Sequence, residues 1–96
     1  MLTGKQKRVL RSQGSHLKPA VALGKDGLTD AVIEETRRQL DSGELVKVRI
    51  HPNSLLPVPE AARDLANRTG SELVGVTGGT ALLFSPKKKD SAFDLP

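Results

Sequence analysis

A short turn near the start of the chain has the composition of a phosphate-binding loop. Residues 24–27 read Gly-Lys-Asp-Gly, and they lie between a short apolar run at residues 20–23 and a helix start at Thr29. Glycines let the backbone approach a ligand closely and take positive φ, and the first turn of a helix carries unpaired N–H groups that attract anions. Lys25 adds a positive charge at the mouth of the turn. A phosphate of a nucleic-acid backbone would fit this candidate site, formed by Gly24, Lys25, Asp26 and Gly27.

The basic residues are concentrated at the N-terminal end of the chain. The formal net charge of the whole protein is only +4, but no acidic residue precedes Asp26. The cations that precede it are Lys5, Lys7, Arg8, Arg11, Lys18 and Lys25. They could form a merely solvated face, but clustered cations without nearby carboxylates repel one another unless a ligand neutralises them. The cluster therefore indicates a polyanionic partner.

A second basic surface is predicted on a strand. Residues 44–50 alternate with a period of two, which places apolar side chains on one face and two cations, Lys47 and Arg49, on the other. These cations extend the candidate binding surface. The alternative is that they only discourage strand edges from pairing, as exposed lysines often do.

Capping signals and periodicity define the elements that must position these residues. Thr3 and Gln6 resemble a capping box at the start of a basic helix that ends near Gly14. The next elements are a strand at 20–23, a helix capped by Thr29 and ended by Gly43, a strand at 44–50, a helix that closes at 69–70, and strands at 72–77 and 81–85 around Gly78-Gly79. The predicted order is α-β-α-β-α-β-β.

Length and composition limit the class of protein. The chain of 96 residues suits a single compact domain, which we place at residues 1–85, with residues 86–96 as a basic and polar, flexible tail. The chain contains no cysteine for a disulfide or a thiolate metal site, and no apolar run of about 20 residues that could span a membrane. We expect a cytoplasmic, monomeric protein without a membrane partner.

No set of residues in the sequence indicates catalysis. His16 and His51 are separated by a predicted strand and helix, no carboxylates show metal-ligand spacing, and the nucleotide-binding pattern G-x-x-x-x-G-K-[ST] is absent. Phe84 and Phe93 are the only aromatic residues, so a platform of several aromatics that stacks bases is not expected. We therefore predict a protein that is not an enzyme, without catalytic residues, metal, cofactor or small-molecule substrate.

Several short motifs, taken together, resemble one known family. They are L-T-x-K-Q-K at residues 2–7, L-K-P at 17–19, G-K-D-G-L-T at 24–29, E-L-V-K-V at 44–48 and G-x-T at 78–80. This combination resembles the CRM domain (chloroplast RNA splicing and ribosome maturation) in its stand-alone bacterial form, known as YhbY, over roughly residues 2–85. The combination is far more specific than a G-x-x-G turn alone.

The resemblance implies a fold, a function and a binding surface. The implied fold is α/β, a four-stranded mixed sheet with three helices packed on one side, similar to the C-terminal domain of translation initiation factor three. The implied function is RNA binding, associated with precursors of the large ribosomal subunit. On this sequence the family's binding surface falls on Gly24, Lys25, Asp26 and Gly27 of the loop, Lys5, Lys7, Arg8 and Arg11 of the first helix, and Lys47 and Arg49 of the second strand.

The sequence thus predicts an RNA-binding protein of ribosome assembly, with Lys18 added to the surface by its position in the cationic cluster. Where relatives often carry basic residues in the last hairpin and strand, this chain has Gly79 and Phe84-Ser85, so fewer contacts are expected from that edge. Two alternatives stay open: a protein-interaction module whose basic face meets an acidic protein, and a general nucleic-acid binder without a ribosomal role. DNA is less favoured because no helix carries base-reading side chains at groove spacing.

Overall fold

A computed structural model shows the predicted order of elements and describes residues 2–87, 91, 93 and 95. The helices are α1 (Gly4–Gly14), α2 (Asp30–Gly43) and α3 (Val58–Thr69), and the strands are β1 (Val21–Leu23), β2 (Leu45–Ile50), β3 (Glu72–Thr77) and β4 (Thr80–Phe84). The predicted α/β class, with three helices and a four-stranded mixed sheet, is confirmed. The predicted similarity to the initiation factor domain stays a prediction.

The helices begin where the sequence places their caps. At α1 the Thr3 hydroxyl accepts from the Gln6 N–H at 3.1 Å and the Gln6 side chain accepts from the Thr3 N–H at 2.9 Å, which completes the capping box. The Thr29 hydroxyl accepts from the Val32 N–H at 3.2 Å and starts α2. Gly70 ends α3 with a left-handed φ of 68°, a conformation that favours glycine. These caps satisfy backbone groups that helix ends leave unpaired.

The sheet has the order β1-β2-β4-β3. Parallel pairing sets Val21 of β1 beside Val48 of β2, whereas β4 runs antiparallel to both of its neighbours. Because β1 and β2 are parallel, the loops that follow them leave the sheet at the same end. The Ile50 N–H donates to the Gly79 carbonyl at 2.7 Å, so the β3–β4 turn lies at this end as well.

The larger part of the core lies between one face of the sheet and helices α2 and α3. Apolar side chains of β2 and β4 on this face, among them Val48 and Leu83, are completely buried. They pack against Ile33 and Leu40 of α2 and against Leu65 of α3. The alternation predicted for residues 44–50 is therefore confirmed, and it directs Lys47 and Arg49 to the other face.

Helix α1 packs on the opposite face of the sheet from α2 and α3, so the prediction of three helices on one side is wrong. Leu10 of α1 is completely buried in a second cluster with Leu45, Val74, Leu82 and Phe84. These strand residues alternate with those of the first core, so the pleat turns them to the other side. The reason is that β2 and β4 carry apolar side chains on both faces at one end of the sheet. Helix α1 shields the second of these apolar faces from water.

Close packing of α1 on β4 depends on Gly14. A Cβ atom added at Gly14 would lie 2.5 Å from Cδ2 of the buried Leu82, so the helix or the leucine would have to move. We expect Gly14→Ala to lower the free energy of unfolding by about 1–2 kcal/mol, because overpacking outweighs the better helix propensity of alanine. Urea unfolding followed by circular dichroism measures this loss.

Gly43 offers a matched control because it also ends a helix, and an added Cβ there meets no atom within 4 Å. Gly43→Ala should leave stability unchanged or raise it slightly. Equal effects of the two alanine variants would contradict the close packing of α1 on the sheet.

The described residues that follow β4 contact the body of the domain. Glu44 is 1% exposed, and its carboxylate accepts hydrogen bonds from the Lys87 N–H at 3.1 Å and from the Ser91 hydroxyl. The Phe93 ring meets Phe84 edge to face, with 5.3 Å between ring centroids. The domain boundary at residue 85 and the flexibility of residues 86–96 stay predictions. Of the basic run at 87–89, residues 88 and 89 lie outside the described residues.

Candidate nucleic-acid interface

The GxxG loop, residues 24–27, makes a tight turn between β1 and α2. The Gly27 N–H donates to the Gly24 carbonyl at 3.1 Å, and the Thr29 N–H donates to the Gly27 carbonyl at the same distance. Gly27 has a φ of 76°, in the left-handed region that favours glycine. The second glycine is thus required by the turn that leads directly into the Thr29 cap.

The outer side of the GxxG loop is open to solvent. Gly24, Lys25 and Asp26 are exposed, and a Cβ atom added at Gly24 meets nothing within 4 Å. Within residues 2–87, the backbone N–H groups of Lys25, Asp26 and Leu28 form no hydrogen bond. Gly27 is buried instead, with Leu55 3.5 Å from the position of a Cβ atom. The loop therefore offers donors at its exposed part, while its second glycine is covered by the neighbouring segment.

The charges around this loop are mixed. Lys25 attracts a phosphate, whereas Asp26 in the turn and Asp30 in the first turn of α2 repel one. Asp30 complements the positive end of the helix dipole and so competes with a bound anion there. At a phosphate site in this loop, the predicted residue Asp26 would therefore offer its backbone N–H, while its carboxylate would oppose binding.

Because the Asp26 carboxylate repels a phosphate, removing its charge should strengthen RNA binding. Asp26→Asn keeps the size and the turn preference of the side chain but removes its charge, so RNA affinity should rise about threefold to fivefold, as expected for one like charge near the solvent boundary. Fluorescence anisotropy with a labelled ribosomal RNA hairpin measures the change. Unchanged affinity at low salt would mean that no phosphate lies near the loop.

The cations of α1 have no acidic partner within the part of the chain that the structure describes. Lys5, Arg8 and Arg11 are exposed and Lys7 is half-buried. Three of the four arginines of the other two helices are paired instead, and Arg63 of α3 has no acidic partner among the described residues. The pairs are Arg37–Glu34 at 2.9 Å, Arg38–Glu35, and Arg68–Asp64 at 3.7 Å. The positive charge of α1 is therefore available to an external anion.

Contacts along α2 also lower the pKa of one of its carboxyl groups. A hydrogen bond from Gln39 and then the positive charge of Arg38 lower the pKa of Glu35 below its ordinary value. The acidic side chain therefore stays ionised and keeps its arginine neutralised. The outer face of α2 thus carries charge that is compensated within the helix, unlike the face of α1.

A basic groove joins α1 to the exposed part of the sheet. Its cavity of about 280 Å³ lies between Arg11 at one side and Lys47 at the other. Gly75 of β3 makes room for the arginine, since an added Cβ atom would lie 3.3 Å from Cδ of Arg11. Thr80 lines this groove and also a second one that contains Arg49. Two predicted strand cations and one helix cation thus follow a continuous path across one face.

Lys18 lies on a connector that is tied down at both ends. The Leu17 N–H donates to the Gly14 carbonyl at 3.0 Å, and the Ala20 N–H donates to the Lys47 carbonyl at 2.9 Å. The connector therefore runs from the end of α1 to β2, and Lys18 is exposed along it. This placement keeps the Lys18 charge close to the basic groove.

The predicted surface is extended and does not converge on one pocket. Arg11, Lys47 and Arg49 share one face of the sheet, whereas the GxxG loop follows β1, which forms an edge. Lys5 and Arg8 lie on the solvent side of α1, since Leu10 and Gly14 face the sheet. An elongated ligand is needed to contact all of these parts at once.

Sequence reasoning missed some residues that line this surface. Thr77 and Thr80 border the basic groove, and Leu55 and Leu56 border the cavity beside the GxxG loop. Alternation along the predicted last hairpin could have placed the threonines on the basic face. The leucines gave no such signal, because their segment has neither a helical nor a strand period.

Within the part of the chain that the structure describes, no group of three or more His, Cys, Asp or Glu residues could hold a metal ion. No helix there combines the length and the apolar character that crossing a bilayer requires.

Comparison with known proteins gives the family. Residues 2–85 match the CRS1/YhbY (CRM) domain. The chain belongs to this family. The resemblance inferred from the five sequence motifs is confirmed, with the same residue limits. The CRM match contains α1, the GxxG loop and the whole sheet, and so every residue of the candidate interface.

Relatives of this CRM domain cover nearly its full length. It is 38% identical over 96 residues, 100% of both chains, to the protein named "Probable RNA-binding protein YqeI" of Bacillus subtilis. It is 43% identical over 95 residues to a protein of Haemophilus influenzae named "RNA-binding protein", covering 99% of this chain and 95% of the relative. The solution structure of the hypothetical protein SAV1595 from Staphylococcus aureus matches the fold with a TM-score of 0.87 and 36% identity, covering 100% of both chains.

Proposed function

We propose that this protein binds RNA of the large ribosomal subunit precursor and assists ribosome assembly, without catalysis, as a cytoplasmic monomer. The observation that carries the proposal is the uncompensated positive surface that runs from α1 through Lys47 to Arg49, whereas three of the four arginines of α2 and α3 are paired with carboxylates. Full-length relatives that bear RNA-binding names support RNA as the polyanion.

The binding mode that we propose is mainly electrostatic. The exposed backbone N–H groups of the GxxG loop hold one phosphate, with help from Lys25 and the start of α2. The cations on α1, on the connector and on β2 engage flanking phosphates along the same RNA. Such binding carries little base information, so specificity for ribosomal RNA comes mostly from the shape of a folded RNA and the spacing of its phosphates.

Crosslinking in cells, followed by sequencing of the attached RNA, tests this function directly. Enrichment of one region of large-subunit precursor RNA is the expected result. Crosslinks spread over unrelated RNAs would favour the general nucleic-acid binder. Capture of an acidic protein that persists after nuclease treatment, without enriched RNA, would favour the protein-interaction module. Either of these results would contradict the ribosomal role.

A further inference from the structure

A cavity beside the GxxG loop is not used by the phosphate contacts proposed above. Its volume is about 230 Å³, and Gly27 and Leu28 form the wall that it shares with the loop. Leu55 and Leu56, from the segment between β2 and α3, form another part of the wall. The lining is mostly apolar, and Asp64 of α3 supplies one carboxylate. The cavity therefore suits an apolar surface with a polar edge.

The two leucines are exposed although their segment is held by hydrogen bonds. Leu55 is 78% exposed and Leu56 is 37% exposed. The His51 Nδ1 accepts from the Asn53 N–H at 3.0 Å, and the Ser54 hydroxyl donates to the Leu56 carbonyl at 2.7 Å. Because these bonds shape the segment, the leucines stand beside the loop in solvent. Adjacent exposed apolar side chains that border a cavity are typical of a binding surface.

We propose that this cavity receives an unpaired nucleobase of the RNA whose phosphate the GxxG loop binds, an inference that rests on the proposed function. In a polynucleotide each base lies one sugar away from its phosphate, and Gly27 belongs both to the loop and to the cavity wall. The flat faces of a base pack on Leu28 and Leu55. An N–H at the edge of the base donates to the Asp64 carboxylate, which only accepts hydrogen bonds when ionised.

The charge beside the cavity favours a base over an apolar side chain of a partner protein. The exposed Lys25 and the unbonded backbone N–H groups at the mouth attract an occupant that carries an anion, as every nucleotide does. Phe84 and Phe93 pack together in the cluster on the other face of the sheet, so neither ring can stack a base at this loop. The leucines are the apolar surface that the loop region offers in their place.

Binding to RNA with and without bases tests this inference. The ligands are a short oligoadenylate and an abasic ribose-phosphate chain of the same length. Wild-type protein should bind oligoadenylate about tenfold more tightly than the abasic chain, because only the former buries apolar surface in the cavity. Leu55→Ser should remove most of this advantage without changing the affinity for the abasic chain. Its fold should persist, since the side chain is mostly exposed.

Leu17→Ser is the matched control, because Leu17 is also an exposed leucine, at 38%, but does not line the cavity. It should leave the ratio of the two affinities unchanged. Equal binding of both ligands by wild-type protein, or an unchanged ratio in Leu55→Ser, would overturn the base site.

The variant Gly24→Asp distinguishes failure of the base site from failure of the phosphate site. If it weakens binding of both ligands while Leu55→Ser changes nothing, the phosphate site stands and the base site fails. If neither variant changes either affinity, RNA binding at this loop fails as well.

Discussion

Gly24→Asp should weaken RNA binding by about tenfold or more while the domain stays folded. The new carboxylate would occupy the exposed side of the GxxG loop, where we place a phosphate. Two negative charges about 4 Å apart repel by about 1 kcal/mol in water and by about 4 kcal/mol at the effective dielectric of a protein surface, and 1.4 kcal/mol corresponds to a tenfold change in affinity. Fluorescence anisotropy with a ribosomal RNA hairpin measures the loss.

Gly24 suits this test better than Gly27. Gly24 has no positive φ and no neighbour within 4 Å of an added Cβ atom, so a side chain there causes no strain. Gly27 has a left-handed φ and lies against Leu55, so its substitution would alter the turn as well as the charge. Gly24→Ala is the control and should bind RNA nearly as well as wild type. Equal affinities of the Asp and Ala variants would show that no phosphate contacts the loop.

The double substitution Lys5→Gln, Arg8→Gln should reduce the salt dependence of RNA binding. Each phosphate that a cation neutralises contributes a slope of about −0.7 to −0.9 to the plot of log K against log salt concentration. Loss of two contacts should therefore make the slope less negative by about 1.4 to 1.8. Both residues are exposed and unpaired within residues 2–87, so the substitution should not affect folding. Affinities measured over a range of potassium chloride concentrations give the slope.

A control with the same change in net charge is available on the other side of the sheet. Arg38→Gln, Arg63→Gln removes two exposed cations from α2 and α3, where Arg38 is already paired with Glu35. This variant should keep the wild-type slope, apart from a small effect of lower total charge. Similar slopes in the two double variants would mean that RNA responds to net charge alone, and the assignment of α1 to the interface would be wrong.

Much of this fold could be predicted because its elements are signalled locally. The capping box at Thr3, the cap at Thr29 and the glycine after α3 each depend on residues within one helical turn. The side of the sheet that α1 covers depends on a different kind of information. It is set by Leu45, Leu82 and Phe84, which are distant in sequence and form one patch only when β2 pairs with β4.

The candidate site also combines residues that the local sequence reveals with residues that only the fold brings together. The GxxG loop is contiguous, so its two glycines and its lysine could be recognised from spacing alone. The groove between Arg11 and Lys47 is formed by residues on separate elements, and its width depends on Gly75 of β3. Gly75 is not among the site residues predicted from the sequence. The role of Leu55 could not be predicted either, because its exposure results from the shape of an irregular segment.

An NMR titration of the isotope-labelled protein with a hairpin from large-subunit ribosomal RNA tests the central claim most directly. Amide shifts report each part of the surface separately, so the GxxG loop and the basic face of the sheet can be followed in one experiment. We predict the largest changes at the amides of Lys25, Asp26 and Gly27, with further changes at Lys47 and Arg49. Changes confined to the outer faces of α2 and α3, with the loop amides unmoved at saturation, would contradict the account.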